Sequence, residues 1–186
     1  MAFSPSGTYA YVANYNSNNV VIINTATNTV VNSITSGVNY PYGVAFSPSG
    51  TYAYVTNIGT KNVLIINTAT NTVVNSITSG FNFSSGVAIS PNGKYAYVTN
   101  QYSNNVVIIN TATNTVVNSI TSGFNYPYGV AFSPSGTYAY VTNSNANNVV
   151  IINTATATGS GKPVNIIAPA MEFVAVLMIN ILSGYP

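Results

Sequence analysis

The sequence predicts an all-β fold, a β-propeller built of four-stranded antiparallel blades, and three observations lead there. First, the chain is one 43-residue phrase written nearly four times. Ala2-Phe3-Ser4-Pro5 returns as Ala45-Phe46-Ser47-Pro48, Ala88-Ile89-Ser90-Pro91 and Ala131-Phe132-Ser133-Pro134. A fixed period of this size marks a repeat architecture, whose units bury their faces against neighbouring units. Second, each copy holds four β-type runs divided by turn residues. Third, one run in each copy is apolar throughout, the pattern of a strand covered on both faces, as in a sheet lying between two similar sheets. β-Branched residues and frequent turns disfavour a helical repeat. A parallel β-solenoid is the rival, but its coils are shorter and its strands more even in character.

The second copy gives the elements in order. Gly43-Val44-Ala45-Phe46 is a short apolar strand, and Pro48-Ser49-Gly50 turns the chain. Tyr52-Ala53-Tyr54-Val55-Thr56 is the second strand, with Tyr alternating with small or apolar residues, so the Tyr9/Tyr11 series is expected to pack between blades. Ile58-Gly59-Thr60-Lys61-Asn62 is a loop, Val63-Leu64-Ile65-Ile66 the fully apolar strand, and Asn67-Thr68-Ala69-Thr70-Asn71 a turn. Thr72-Val73-Val74-Asn75-Ser76-Ile77 is more polar, as suits an outer strand, and Ser79 to Gly86 links to the next unit. The units are 1–43, 44–86, 87–129 and 130–156, about four blades of a partial, open propeller. Residues 157–186 form a divergent tail.

Composition narrows the chemistry. Four side chains in 186 residues are charged: Lys61, Lys94, Lys162 and Glu172; there is no Asp, Arg, His, Cys or Trp. General acid–base catalysis draws on His, carboxylates or a tuned Lys, and a nucleophilic Ser or Thr needs an adjacent base. No catalytic residue is therefore assigned, and no metal site or cofactor, because zinc, iron and tight calcium sites need ligands that this chain lacks. The three Lys are scattered, which argues against nucleic acid as a partner. Gly159-Ser160-Gly161-Lys162 departs from a phosphate loop at Pro163 and Thr156 and reads as a linker.

Tyr54-Val55-Thr56-Asn57, Tyr97-Val98-Thr99-Asn100 and Tyr140-Val141-Thr142-Asn143, with Tyr11-Val12-Ala13-Asn14 as a variant, resemble the signature of the YVTN β-propeller repeats of archaeal surface-layer and bacterial surface proteins. The Asn-Thr-Ala-Thr-Asn phrase that follows is also similar, and the resemblance covers residues 1–156. It implies a propeller, usually of seven blades, that is non-enzymatic and extracellular, with a structural or adhesive role at the cell surface. Relative to that family, Asp is replaced by Ser6, Ser49, Asn92 and Ser135 in one turn, and by Asn24, Asn67, Asn110 and Asn153 in the other. Asn and Ser keep the local hydrogen bonding of Asp but do not titrate. A fold with so few carboxylates is expected to be insensitive to acid.

Alternating strand direction places the second-to-third loop and the blade-to-blade link on one face. That face carries Tyr15, Asn16, Tyr40, Tyr42, Tyr102, Asn104, Tyr126 and Tyr128, candidates for binding glycans or peptide loops. The same residues also suit packing between blades and turn formation. Expected partners are other surface proteins, further copies of this chain, or glycans. Asn82-Phe83-Ser84 is the sole glycosylation sequon. Met1 stands where other copies have Val44, Val87 and Val130, so the repeat frame is expected to continue upstream. Pro163-Val164-Asn165-Ile166-Ile167 offers a fourth strand for the last blade. The apolar stretch 168–182 is the only segment through which membrane contact is expected.

Overall fold

The computed structural model describes residues 1–157 and the short strand Ala168–Pro169. Blade 1 consists of β1 (Ala2–Phe3), β2 (Tyr9–Asn14), β3 (Asn19–Asn24) and β4 (Thr29–Ile34). Blade 2 consists of β5 (Pro41–Phe46), β6 (Tyr52–Asn57), β7 (Asn62–Asn67) and β8 (Thr72–Ile77). Blade 3 follows with β9 (Ser84–Ile89), β10 (Tyr95–Asn100), β11 (Asn105–Asn110) and β12 (Thr115–Ile120). Blade 4 holds β13 (Pro127–Phe132), β14 (Tyr138–Asn143) and β15 (Asn148–Asn153), then the single helical turn α1 (Thr154–Ala157) and β16 (Ala168–Pro169). Each blade is a four-stranded antiparallel meander in sequence order, and the four sheets form an open arc. Neighbouring sheets approach most closely at their first strands, β5 beside β9 and β9 beside β13.

The apolar third strand explains the packing. Val63 and Ile65 of β7 face blade 3, where they join Tyr54, Ala96, Val98, Val107 and Ile109 in one core. Leu64 and Ile66 face the other way, into a core with Tyr11, Val20, Ile22 and Val44. Successive residues of a strand point to opposite faces, so a sheet with a neighbour on each side must be apolar at every position. The fourth strands are outermost, and Val30, Val31, Val74 and Val117 are exposed there.

The Ser and Asn turn substitutions keep their expected bonds. Oδ1 of Asn24, Asn67 and Asn110 each accepts from the backbone N–H two residues on at 2.9 Å, closing an Asx-type turn. Asn28, Asn71 and Asn114 end these turns in the left-handed region at φ 53–55°, which Asn tolerates. Asn153 keeps the same bond, from the Ala155 N–H at 3.0 Å, but Ala157 stands where the closing Asn belongs, Ala disfavours positive φ, and the segment winds into α1.

Several strands run one or two residues longer than the sequence indicates. β5 begins at Pro41 rather than Gly43, because a register shift between Pro41 and Val44 lets Tyr42 and Gly43 bulge out of the ladder. The fourth position of the last sheet is taken by Ala168–Pro169, which pairs with Val149 and Asn148. The strand expected over 163–167, and all but that pair of the apolar stretch 168–182, lie outside the described residues.

Candidate functional site

The four-residue signature is first of all a device for joining blades. At two of the three junctions the Tyr packs edge-on against the Phe of the next blade, Tyr11 with Phe46 and Tyr97 with Phe132, each at 4.8 Å between centroids; blade 3 has Ile89 at that position. The Tyr hydroxyl reaches the next blade's turn, Tyr11 donating to Asn71 Oδ1 at 2.5 Å and Tyr54 to Asn114 Oδ1 at 3.3 Å. Burial pushes the phenols of Tyr11 and Tyr54 up to about 12, and that of Tyr97 further still, with a smaller contribution from Tyr9, Tyr52 and Tyr95 respectively. The Val is core.

The Thr is a clasp. Thr99 Oγ1 accepts from the Gly86 N–H at 2.8 Å and donates to the Tyr128 carbonyl of the next blade at 2.6 Å. Thr56 repeats this with Gly43 and the Ser85 carbonyl. The bulge glycine permits the close approach, since a Cβ on Gly86 would lie 2.6 Å from the Tyr128 oxygen. The Asn pins the link between blades: Asn57, Asn100 and Asn143 each donate at 2.9 Å to the carbonyl of Gly37, Gly80 or Gly123. No buried side-chain polar atom among the described residues lacks a partner.

The predicted Tyr/Asn face is brought together by this scaffold. Tyr15 lies 5.0 Å from Tyr40 and 6.1 Å from Tyr42, and Tyr42 meets Tyr128 at 5.9 Å with their hydroxyls hydrogen-bonded. A second group joins Tyr102 to Tyr126 at 5.6 Å and to Phe83, stacked at 4.4 Å. The Tyr128 hydroxyl, partial burial and Tyr15 together push the Tyr42 phenol up to about 12, and Tyr102 pushes that of Tyr126 up. Tyr15, Tyr40, Tyr102 and Tyr128 present much of their surface to solvent.

The asparagines divide. Asn16 is exposed. Asn104 is occupied in part by the fold: its Oδ1 accepts from the Tyr126 N–H at 2.7 Å, as Asn18 does for Tyr40. Both tyrosines sit at positive φ, 49° for Tyr40 and 59° for Tyr126, a costly conformation for a bulky residue. Asn18 and Phe83 were not singled out by sequence. The 22-residue offset from each clasping Asn to its aromatic recurs between copies and could have exposed Asn18. Phe83 occupies the position equivalent to Tyr40 and Tyr126.

This face offers aromatic area, hydroxyls and amides. No group of three or more His, Cys, Asp or Glu able to hold a metal exists among the described residues. Fold and face together define a β-propeller module with an aromatic end surface. Residues 1–178 match a family described as lactonase, seven-bladed β-propeller, and the chain belongs to that family. Among solved structures, it is similar to a chain of the Kuenenia stuttgartiensis hydrazine synthase, with a TM-score of 0.80 and 26% identity over 90% of this chain and 48% of that one. A functionally unknown protein from Desulfotomaculum acetoxidans aligns with a TM-score of 0.74 and 20% identity, over 88% of this chain and 54% of its own. The chain thus spans about half the length of these structures. No curated protein matches it.

Proposed function

We propose that this chain is a non-enzymatic structural or adhesive module of the cell surface, and that its blade faces bind further blades of the same repeat. The observation that carries this reading is the self-similarity of the blade interface. Within the chain, each blade offers a Tyr and a Pro to a large apolar residue (Phe46, Ile89 or Phe132) and a Gly of the next: Tyr11 and Pro5 meet Phe46 and Gly50. On the leading face of blade 1 the same acceptor residue, Phe3, is 59% exposed. On blade 4 the donor Tyr140 is half-buried, whereas Tyr11, Tyr54 and Tyr97 are fully buried. A further blade of the same repeat fits such a face because a near-identical one already does so three times within the chain. An apolar face of this kind favours association. The resemblance to YVTN surface repeats supports a place outside the cell.

The lactonase in the family's description is not carried over to this chain. Opening a lactone requires a base or metal to activate water, and neither His nor Asp occurs in the sequence. A second reading, glycan or peptide binding, is favoured by the convergence of Tyr15, Tyr40, Tyr42 and Tyr128. Sedimentation velocity over a concentration series tests the first reading. The parent chain associates, and Phe3→Glu reduces that association without lowering the melting temperature. A parent chain that remains monomeric throughout refutes it, and glycan binding lost in Tyr42→Ala and Tyr128→Ala would install the second reading in its place.

A further inference from the structure

Tyr42 and Tyr128 lie two repeats apart, in blades 2 and 4, yet their rings meet edge to face at 5.9 Å and 89° with the hydroxyls in contact. They meet because the intervening blade has no third ring. The position equivalent to both is Ser85, whose small side chain is buried and turned to the Tyr128 carbonyl at 2.9 Å. The pair thus bridges over blade 3, while Tyr128 remains 44% exposed and open to reagents. The chain has no Cys, so its blades cannot be joined by disulfides. Tyrosine is the residue through which this composition can form an oxidative cross-link.

We propose that Tyr42 and Tyr128 form a modification site at which a peroxidase-type one-electron oxidant couples their rings as dityrosine, stapling blade 2 to blade 4. Each phenol loses one electron and its hydroxyl proton, giving two tyrosyl radicals. A carbon–carbon bond forms between ring carbons adjacent to the hydroxyl-bearing carbons. The two displaced ring hydrogens then return to the oxygens, restoring both phenols. Hydrogen peroxide accepts the two electrons and, with two protons from the phenols, leaves as two molecules of water. The product is lighter by two hydrogen atoms. Contact between the hydroxyls holds the two phenols side by side, and coupling then needs the rings to turn and draw closer together. The resulting bridge fixes the curvature of the arc, and it is independent of what the blade faces bind.

The sequence supplies its own test. Cleavage after Lys61 and Lys94 places Tyr42 in the peptide Met1–Lys61 and Tyr128 in the peptide that begins at Tyr95. The neighbouring contacts Tyr15–Tyr40, Tyr15–Tyr42 and Tyr102–Tyr126 each stay within one of those peptides. The full chain, dilute, is treated with a haem peroxidase and hydrogen peroxide, denatured, cut at Lys and analysed by mass spectrometry. The expected result is a cross-link between the two peptides, lost in Tyr42→Phe and in Tyr128→Phe and retained in Tyr15→Phe. Both Phe variants keep the ring and are checked for an unchanged melt. The same treatment in denaturant gives no such link. A link that survives either substitution, one that forms only as protein concentration rises, or dityrosine found solely within single peptides overturns the proposal.

Discussion

Replacing Thr99 by Val tests how the blades are held together. The two side chains have nearly the same shape, so the change removes the hydroxyl without opening a cavity. Thr99 is wholly buried, and it loses both the bond from Gly86 and the bond to Tyr128. The Tyr128 carbonyl keeps the Ser85 hydroxyl as a donor, but the Gly86 N–H is left without its partner. Stranding this partly buried donor costs about 1–3 kcal/mol, and losing the clasp to the next blade adds about 1 kcal/mol. At about 2–4 °C per kcal/mol for a protein of this size, Thr99→Val is expected to lower the melting temperature by roughly 4–16 °C. Thr142 provides the internal comparison. It accepts the same bond from Gly129 at 2.8 Å, yet it is partly exposed and donates to no carbonyl among the described residues. Thr142→Val should therefore cost about 1 kcal/mol. Calorimetry or circular dichroism melts of both variants and of Thr99→Ser, which keeps the hydroxyl, read the difference. Equal losses for Thr99→Val and Thr142→Val, or a Thr99→Val melt unchanged from the parent, would refute the cross-blade role of the Thr.

Two further predictions concern pH and the aromatic face. No carboxylate side chain lies in residues 1–157, so folded and unfolded chains bind nearly equal numbers of protons in acid, and the melting temperature should stay level from neutral pH down to about pH 2. In alkali, the folded state holds the phenol protons of Tyr11 and Tyr54 up to about 12, and that of Tyr97 beyond, whereas an unfolded chain releases them near 10. Their contribution is complete below about pH 10 and is lost as pH rises through 12, on the order of 2 kcal/mol for each tyrosine; circular dichroism melts across the range should show a fall confined to the alkaline side. Asn104→Ala removes the acceptor that holds Tyr126 at positive φ and also places Ala at φ 50°, so it should cost about 2–3 kcal/mol. Wider solvent access at Tyr126, seen by hydrogen exchange of its backbone amide, would accompany it.

The sequence was most legible where one residue type has one physical use. A strand apolar at every position, Val63 to Ile66, implies cover on both faces, and the two cores on either side of β7 bear this out. The Asn and Ser substitutions in the turns were readable because local side-chain-to-backbone bonds depend on neighbours in the chain alone. The helical turn at Thr154–Ala157 was missed, although its cause is also local: Ala157 cannot take the left-handed place of Asn28, Asn71 and Asn114. The common face of Tyr15, Tyr40, Tyr42, Tyr102, Tyr126 and Tyr128 followed from strand direction. Which rings meet did not, because the meeting of Tyr42 with Tyr128 across Ser85 depends on the curvature of the arc. The double use of Thr56 and Thr99 was equally out of reach, since the acceptor belongs to a different blade, 29 residues on.

That a member of a lactonase family should work through surfaces rather than catalysis is tested most directly by hydrolysis of lactones. Sugar and aliphatic lactones are incubated with the folded full chain at high protein concentration, from mildly acidic to mildly alkaline pH, and ring opening is followed by acid release. The expected result is decay at the rate of buffer alone, unchanged by protein concentration. Saturable hydrolysis that scales with the folded chain and disappears on its unfolding would contradict it.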